Sequence, residues 1–544
     1  MKQDVLTKIS YKSICRICIF ATLPLIDFLR ISGNGWQMML ASQSVGLVLA
    51  GILFLHYGIR KFLKWYNIIW LCGAGVAIAS MPYWFYDEAI KYHYLYEMQL
   101  ALVTMAMYGM ILTQIICDYR EQRNSGKKIR INKAGVALGG IWLLYILLAT
   151  LMRDNTYRPE FDLLYFGIFY LVIYNKEEQR KILEDLVNGI SIGFLSLQFV
   201  AFFFRPYVDG INRYRGMYYN SNMFDLMCLV VLCLVLVKIT HARKTHGIRH
   251  WSYWGWIAYY GAAFSLILLS IGRISILLAI GGTVLYALFT VCFEHIKVKK
   301  MLAQSGVVLL SIGIMLPIVF AAASYLPRIL KRPILFQDEY LYIGDLQDED
   351  NYVSFAEFTE MTLGRFSKLI ADYSAEGIGE SVVVDETIVE NNIDTKTQNT
   401  DWENKTFYLN AEGYSAIDLR VAIWRTYLDE VNMWGHTIDE WGVWVAPNLY
   451  FVHAHNIFIM QTYVYGLIAG GVFVLWIVYY IYRAWCYYRR NVNDCYAIIP
   501  LMAVMILISF GMFELSWMSG QVSWALVLIT QKCLIEADID KNEE

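Results

Sequence analysis

The sequence predicts an all-α polytopic membrane protein of about 12–14 transmembrane helices, with one large extracytoplasmic loop between the eleventh and twelfth predicted helices. Three observations carry this. The 544-residue chain is 58% hydrophobic and only 17% charged, with mean hydropathy +0.42, a balance that excludes most soluble classes. Apolar runs of about 20 residues, each long enough to cross a bilayer core, recur along nearly the whole length. Lys and Arg gather in alternate short loops, a separation that the net charge of -2 conceals.

Taking about 20 apolar residues as one crossing places spans near 13–31, 36–56, 66–86, 96–117, 134–152, 161–175, 186–204, 222–239, 252–271, 273–293, 302–324, 455–482, 496–513 and 516–534. The first run is interrupted by Asp27 and Arg30 and shows no small-residue cleavage site, so it reads as a retained helix and not a signal peptide. Cys15 and Cys18 form a CxxC inside that run and read as lipid- or core-facing. No disulfide framework is implied by the ten cysteines.

With the N-terminus inside, the inner loops are Tyr57–Lys64, Asp118–Lys133, Asn175–Asp185, Lys238–His250, His295–Lys300 and Arg483–Arg490, and all carry basic clusters. Outer loops such as Asp87–Glu97 are acidic or poor in basic residues. Both termini are then expected in the cytoplasm, with the chain spanning the cytoplasmic membrane. The organisation is 1–324, a transmembrane bundle; 325–454, the large outer loop; and 455–544, further transmembrane helices with a short tail.

One outer loop departs from the rule. Between Phe204 and Asn222 the chain places Arg205, Arg213 and Arg215 outside, and Arg273 stands at the outer mouth of a helix. An arginine at such a place costs a few kcal/mol unless it finds a partner, which suggests a bound anion. Pairing with Asp209 and Asp225, or snorkelling to headgroups, is the alternative.

The segment Tyr325–Val452 holds about 23 acidic against 9 basic residues and is the one sizeable extramembrane element. Its part from Asp418 to Trp444 has apolar residues at roughly helical spacing followed by aromatic turns, which suits a helix lying on the membrane surface. The chain re-enters the membrane at His453, His455 and Asn456. A histidine there is a natural general base for a hydroxyl at neutral pH.

Sugar transfer from a polyprenyl diphosphate needs positive groups for the departing diphosphate, a base for the acceptor hydroxyl and a groove for glycan. Arg215, Arg273 and Arg420 are the anion candidates and His455 the base. Arg205, Arg213, Asn222, Trp424, His453 and Asn456 are candidates for substrate binding. Trp402, Tyr414, Trp424, Trp434, Trp441 and Trp444 offer a saccharide surface.

No metal or other cofactor is expected. The run Asp348-Glu349-Asp350 reads as solvated, and His453 and His455 have the wrong spacing for a one-face helical ligand pair. No phosphate-cradling loop is visible to drive nucleotide-dependent transport, and no nucleic-acid partner is expected.

These residues resemble those of the O-antigen ligase and polymerase superfamily, membrane glycosyltransferases acting on undecaprenyl-diphosphate-linked glycans outside the cytoplasmic membrane. Four segments carry the resemblance: Arg215 to Asn222, with Ser221 in the family's proline position; Ser270-Ile271-Gly272-Arg273; Arg420 with Trp424; and Ala454-His455-Asn456 with Phe458, Gln461, Gly466 and Gly470. Ala469 stands where ligases usually show Gly, Thr or Tyr, which counts against ligase more than against the superfamily. Arg205 lies eleven residues before Gly216, matching an arginine-to-glycine spacing of polymerase loops.

The resemblance implies a metal-independent, inverting transfer, with the histidine as base and arginines gripping the diphosphate. The first expectation is a polymerase building capsule, exopolysaccharide or O-antigen. Undecaprenyl-diphosphate-linked oligosaccharide is then both donor and acceptor, and a chain-length regulator and a flippase are further partners beside the lipid bilayer. The alternatives are ligase transfer to lipid A core or a protein, and a flippase or transporter of lipid-linked sugars. Transporters usually show inverted repeats and helices broken at mid-membrane, and neither is expected from this sequence.

Overall fold

A computed structural model describes residues 10–28, 35–84, 88–126, 129–151, 159–208, 213–218, 220–293, 297–330, 352–375, 416–437, 442–446, 449–514, 521–535 and 537–539. They are mostly helical. In chain order the first helices are α1 (Tyr11–Phe20), α2 (Leu23–Phe28), α3 (Gly35–Tyr57), α4 (Ile59–Phe62), α5 (Trp65–Ser80), α6 (Glu88–Asn124), α7 (Lys133–Leu151), α8 (Pro159–Leu171) and α9 (Lys176–Phe204). There follow α10 (Ser221–Thr245), α11 (Trp251–Ser270), α12 (Arg273–Phe293), α13 (Val298–Leu330), α14 (Phe355–Ala375), α15 (Ala416–Asp429), α16 (Ile457–Arg490), α17 (Ile499–Gly511) and α18 (Val522–Leu534). Among the described residues seven helices are long and apolar enough to cross a membrane: the Met98–Asn124 part of α6, and α7, α9, α10, α12, α13 and α16.

Helix α10 is apolar nearly all round, and its apolar window is 89% buried, so it forms the centre of the bundle. Around it pack α9, α11, α12, α17 and α18. The outward faces of α12 and α13 leave Leu277, Ile280, Val284, Leu309, Leu310 and Ile314 about half exposed or more, as a lipid-facing surface requires.

The polar contacts sort to two ends of the bundle. At one end, Arg16 pairs with Asp185, His56 with Glu178, Lys61 with Asp118 and Arg180 with Asp494. Lys238 reaches the Tyr496 hydroxyl there, at 3.3 Å. These contacts join segments that the charge pattern groups on one side. The strands β1 (Ile129–Ile131) and β4 (Ala537–Ile539) also pair, antiparallel, and bring the loop after α6 beside the C-terminal tail.

One expectation is corrected, and two local features are added. The first predicted span is two short helices, because Pro24 has no N–H to give the Phe20 carbonyl and its ring would crowd that carbonyl, ending α1. In the segment Asp418–Trp444, expected as helical spacing followed by aromatic turns, the helix α15 ends at Asp429, and beyond it β2 (Val443–Ala446) pairs with β3 (Leu449–Phe451). A broken helix, which the sequence did not announce, occurs at Gly466 (φ +86, ψ 164) inside α16.

The break is made by the chain after α15. His436 donates its N–H to Val464 O (3.2 Å), and Leu467 donates to Asn432 O (3.0 Å), so backbone groups freed by the break find partners. Gly435 (φ +84) and Gly466 face each other there. A Cβ on Gly466 would overlap Met433 O, and one on Gly435 would overlap Val464 O. Past the break, α16 runs from Leu467 to Arg490, about 36 Å at 1.5 Å per residue, enough to cross a bilayer core alone. The broken point thus lies at one end of a full span and not at its middle.

Candidate functional site

At the other end of the bundle the starts of α10, α12 and α16 meet the end of α17, and α15 lies across them. The face of α15 that carries Arg420, Ile423, Trp424 and Tyr427 repeats at helical spacing. Ile423 and Tyr427 are fully buried, and the Tyr427 hydroxyl donates to Phe451 O (2.9 Å), which fixes α15 on the β2–β3 hairpin. Arg420 is thereby turned toward the chain just beyond α17.

Glu514 is the hub. Its Oε1 accepts from Asn222 Nδ2 (2.8 Å) and from Arg420 (3.4 Å), and its Oε2 lies 3.2 Å from His455 Nδ1. Arg420 also donates to Phe513 O (2.7 Å). Asn456 caps α16, its Oδ1 accepting from Phe458 N (3.0 Å) and Ile459 N (3.2 Å) while Nδ2 reaches Met512 O (3.4 Å). The cap therefore holds the histidine and the glutamate in register across two helices.

Asn222 also accepts from Arg213 (2.9 Å) through Oδ1, linking Glu514 to a second cluster. Arg213 donates to Asp225 Oδ2 (2.9 Å) and Ser270 O (2.8 Å), and Ser270 Oγ donates to Asp225 Oδ1. Gly272 closes this cluster; a Cβ there would overlap the Asp225 carboxylate. The next residue is Arg273, the first of α12. Arg273 makes no hydrogen bond or ion pair among the described residues, and it is partly exposed.

Electrostatics follow from these contacts. Burial pushes Glu514 up, but the hydrogen bond from His455 and the positive charge of Arg420 outweigh it, leaving its carboxyl below the usual range. An ionised carboxylate only accepts, so Nδ1 of His455 carries a proton and Nε2 is the ring nitrogen turned away from Glu514. Burial, with His455 beside it, pulls the His453 imidazole down to about 3, so that ring is neutral. The two rings meet edge to face, centroids 3.9 Å apart.

Two further features are concentrated at this end of the bundle. The non-glycine residues with positive φ among those described are Ile271 (φ 52) and His455 (φ 48), one on each side of it. Strain of this kind costs about 1–3 kcal/mol and clusters where function holds it. Trp424 Nε1 and His453 Nδ1 are buried without a hydrogen-bond partner among the described residues, so the site has polar capacity to spare.

The structure thus brings Arg420, His455, Asn456 and Asn222 together, with Arg213, His453, Trp424 and Arg273 around them. Arg215 lies in the same loop, two residues past Arg213, and does not join the network on Glu514. Arg205 is wholly buried at the C-cap of α9. Asn456 and Arg213 are held by protein groups and act here as braces. Trp434 and Trp444 are largely exposed, while Trp402, Tyr414, Trp441 and the run Asp348–Asp350 lie outside the described residues. Asp225, offered from the sequence as an alternative partner for these arginines, is paired with Arg213. Sequence reasoning missed Glu514, for which a lone carboxylate beside an apolar run was the available signal.

No family model, curated protein or solved structure matches the chain.

Proposed function

We propose that this protein is a membrane glycosyltransferase that polymerises polyprenyl-diphosphate-linked oligosaccharide, as the resemblance to the O-antigen polymerases implies. The observation that carries the reading is the Glu514 carboxylate shared by His455, Arg420 and Asn222 at one end of an apolar bundle. In this reading that end faces away from the cytoplasm, the chain from about 325 to 454 forms the outer loop, and both termini are cytoplasmic.

In the reaction, Nε2 of His455 takes the proton of an acceptor hydroxyl, whose oxygen attacks the anomeric carbon of the donor sugar from the face opposite the diphosphate. The bond to the diphosphate oxygen breaks and its electron pair leaves with the diphosphate, inverting the centre. Glu514 stabilises the imidazolium that forms. Arg273, without a protein partner among the described residues, and Arg215 receive the departing charge. Arg420 is already braced by Glu514 and Phe513, so its share is smaller.

The test supplies lipid-linked repeat to purified protein. Wild type lengthens the glycan, and His455→Ala loses at least about two orders of magnitude in rate. Ordinary elongation by His455→Ala removes the histidine from the mechanism. Repeat that stays unextended until lipid A core or a protein acceptor is added identifies a ligase, and movement of the lipid across vesicles without a new glycosidic bond identifies a flippase.

A further inference from the structure

We propose that a cavity between the end of α13 and the start of α14 binds a saccharide segment of the glycan, away from the reacting bond. This rests on the polymerase reading above. The cavity, about 500 Å³, is lined by Phe320, Ser324, Tyr325, Arg328, Tyr352 and Phe355 among others. Its volume lies within the range of small-molecule sites.

The arginine is presented in a particular way. Its guanidinium carbon is 4.2 Å from the centre of the Tyr352 ring and 5.1 Å from that of Tyr325, so the plane is occupied by aromatic faces and the edge is left for a ligand. Arg328 Nε and Ser324 Oγ are buried with no hydrogen-bond partner among the described residues. The nearby carboxylate does not answer them: Glu357 Oε2 accepts from Ser354 N (2.6 Å) in the capping box that starts α14.

A sugar ring satisfies all of this at once. Its C–H face lies against aromatic rings, and its hydroxyl or carboxylate oxygens accept from the arginine and the serine. An isoprenoid tail would leave both polar atoms unmet, and a lipid headgroup would make no use of the aromatic walls.

The cavity is joined to the Glu514 site by structure. Val353 donates its N–H to Tyr207 O (3.1 Å), and Val208 bridges to Tyr352. The Tyr207 ring stands between Phe320 (6.2 Å) and Tyr214 (5.7 Å), and Tyr214 lies in the chain between Arg213 and Arg215. The cavity and the loop that carries Arg213 and Arg215 are therefore parts of one packed unit, linked through the buried Tyr207 and Tyr214.

The probe is lipid-free oligosaccharide released by mild acid from the lipid-linked repeat, titrated into the purified full-length protein by calorimetry. Arg328→Gln and Phe355→Ala each weaken binding at least about fivefold. Phe355 is half exposed, so its removal leaves the fold intact.

Binding within twofold of wild type in both variants, or no binding to wild type, overturns the assignment. Displacement of the oligosaccharide by vesicles of anionic phospholipid gives the cavity to a headgroup instead. The polymerase reading fails separately, through wild-type protein that never elongates the lipid-linked repeat.

Discussion

His455 Nδ1 lies 3.2 Å from Glu514 Oε2, although 59 residues and two helices separate them in the chain. The carboxylate fixes which ring nitrogen keeps its proton, and that choice decides whether the imidazole can act as a base at Nε2. In the proposed reaction Glu514 is therefore a positioning residue, and its removal tests that proposal without deleting the histidine.

Replacing it with an isosteric amide keeps the shape and removes the charge. Glu514→Gln is expected to lower transfer by about 10²–10⁴-fold, since the imidazolium formed on proton uptake loses its stabilising neighbour. Elongation assays of the two proteins read the loss. Transfer at the wild-type rate would make Glu514 a merely structural brace.

The same carboxyl makes a stability prediction. Its folded pKa is depressed, so its contribution is complete above the unfolded value and is lost as pH falls through the folded one. Thermal unfolding in detergent should therefore lose Tm below about pH 4 in wild type, and less steeply in Glu514→Gln. His453 acts in an earlier window. The unfolded ring takes a proton near pH 6.5, whereas the folded ring resists it until about 3. Stability should thus already decline as pH drops from about 6.5, and His453→Gln should flatten that part of the curve.

Arg213 and Asp225 are expected to behave as a unit. Asp225 is 1% exposed and Arg213 23%, and removing one partner leaves a buried charge or acceptor unmet. Arg213→Gln or Asp225→Asn alone should cost about 3–5 kcal/mol, with the double variant costing clearly less than their sum. A cycle of four unfolding curves in detergent measures the coupling, and simple additivity would dissolve the clamp.

How much of this was legible in the sequence varies by element. Apolar runs of crossing length are visible because the bilayer demands them, and helices such as α10 and α12 start within a residue or so of the expected place. His455 and Asn456 were legible because they interrupt an apolar pattern at its boundary. Glu514 was not, because nothing local distinguishes a glutamate that ends a helix in solvent from one that collects three partners from remote segments. The break at Gly466 was equally hidden: its cause is a loop from residues 432–436, and no reading of α16 alone contains that loop.

The break itself predicts a paired sensitivity. Gly435 and Gly466 both have φ near +85 (84 and 86), and both are pressed against carbonyl oxygens. Either glycine changed to Ala must move the opposing backbone as well as bear a strained φ, at about 1–3 kcal/mol for the strain alone. The two should be non-additive, since the first substitution already separates the strands of contact. Proteolysis of the 432–436 turn in detergent should accelerate in both single variants, and protection equal to wild type would mean the loop is held elsewhere.

Arg273 and Arg420 separate binding of charge from support of the fold. Arg420 has two protein acceptors, Phe513 O and Glu514, so Arg420→Ala should lower both transfer and Tm. Arg273 has none among the described residues and is partly exposed, so Arg273→Ala should leave stability within about 0.5 kcal/mol. Its effect should fall on the rate instead, through a diphosphate that departs without its counter-charge. Arg273→Lys should recover part of that rate, because a lysine supplies the charge but not the planar fork. Assays of the three variants beside their unfolding curves distinguish the cases. A drop in Tm for Arg273→Ala equal to that of Arg420→Ala would show Arg273 to be a support of the fold, and the departing diphosphate would need another cation.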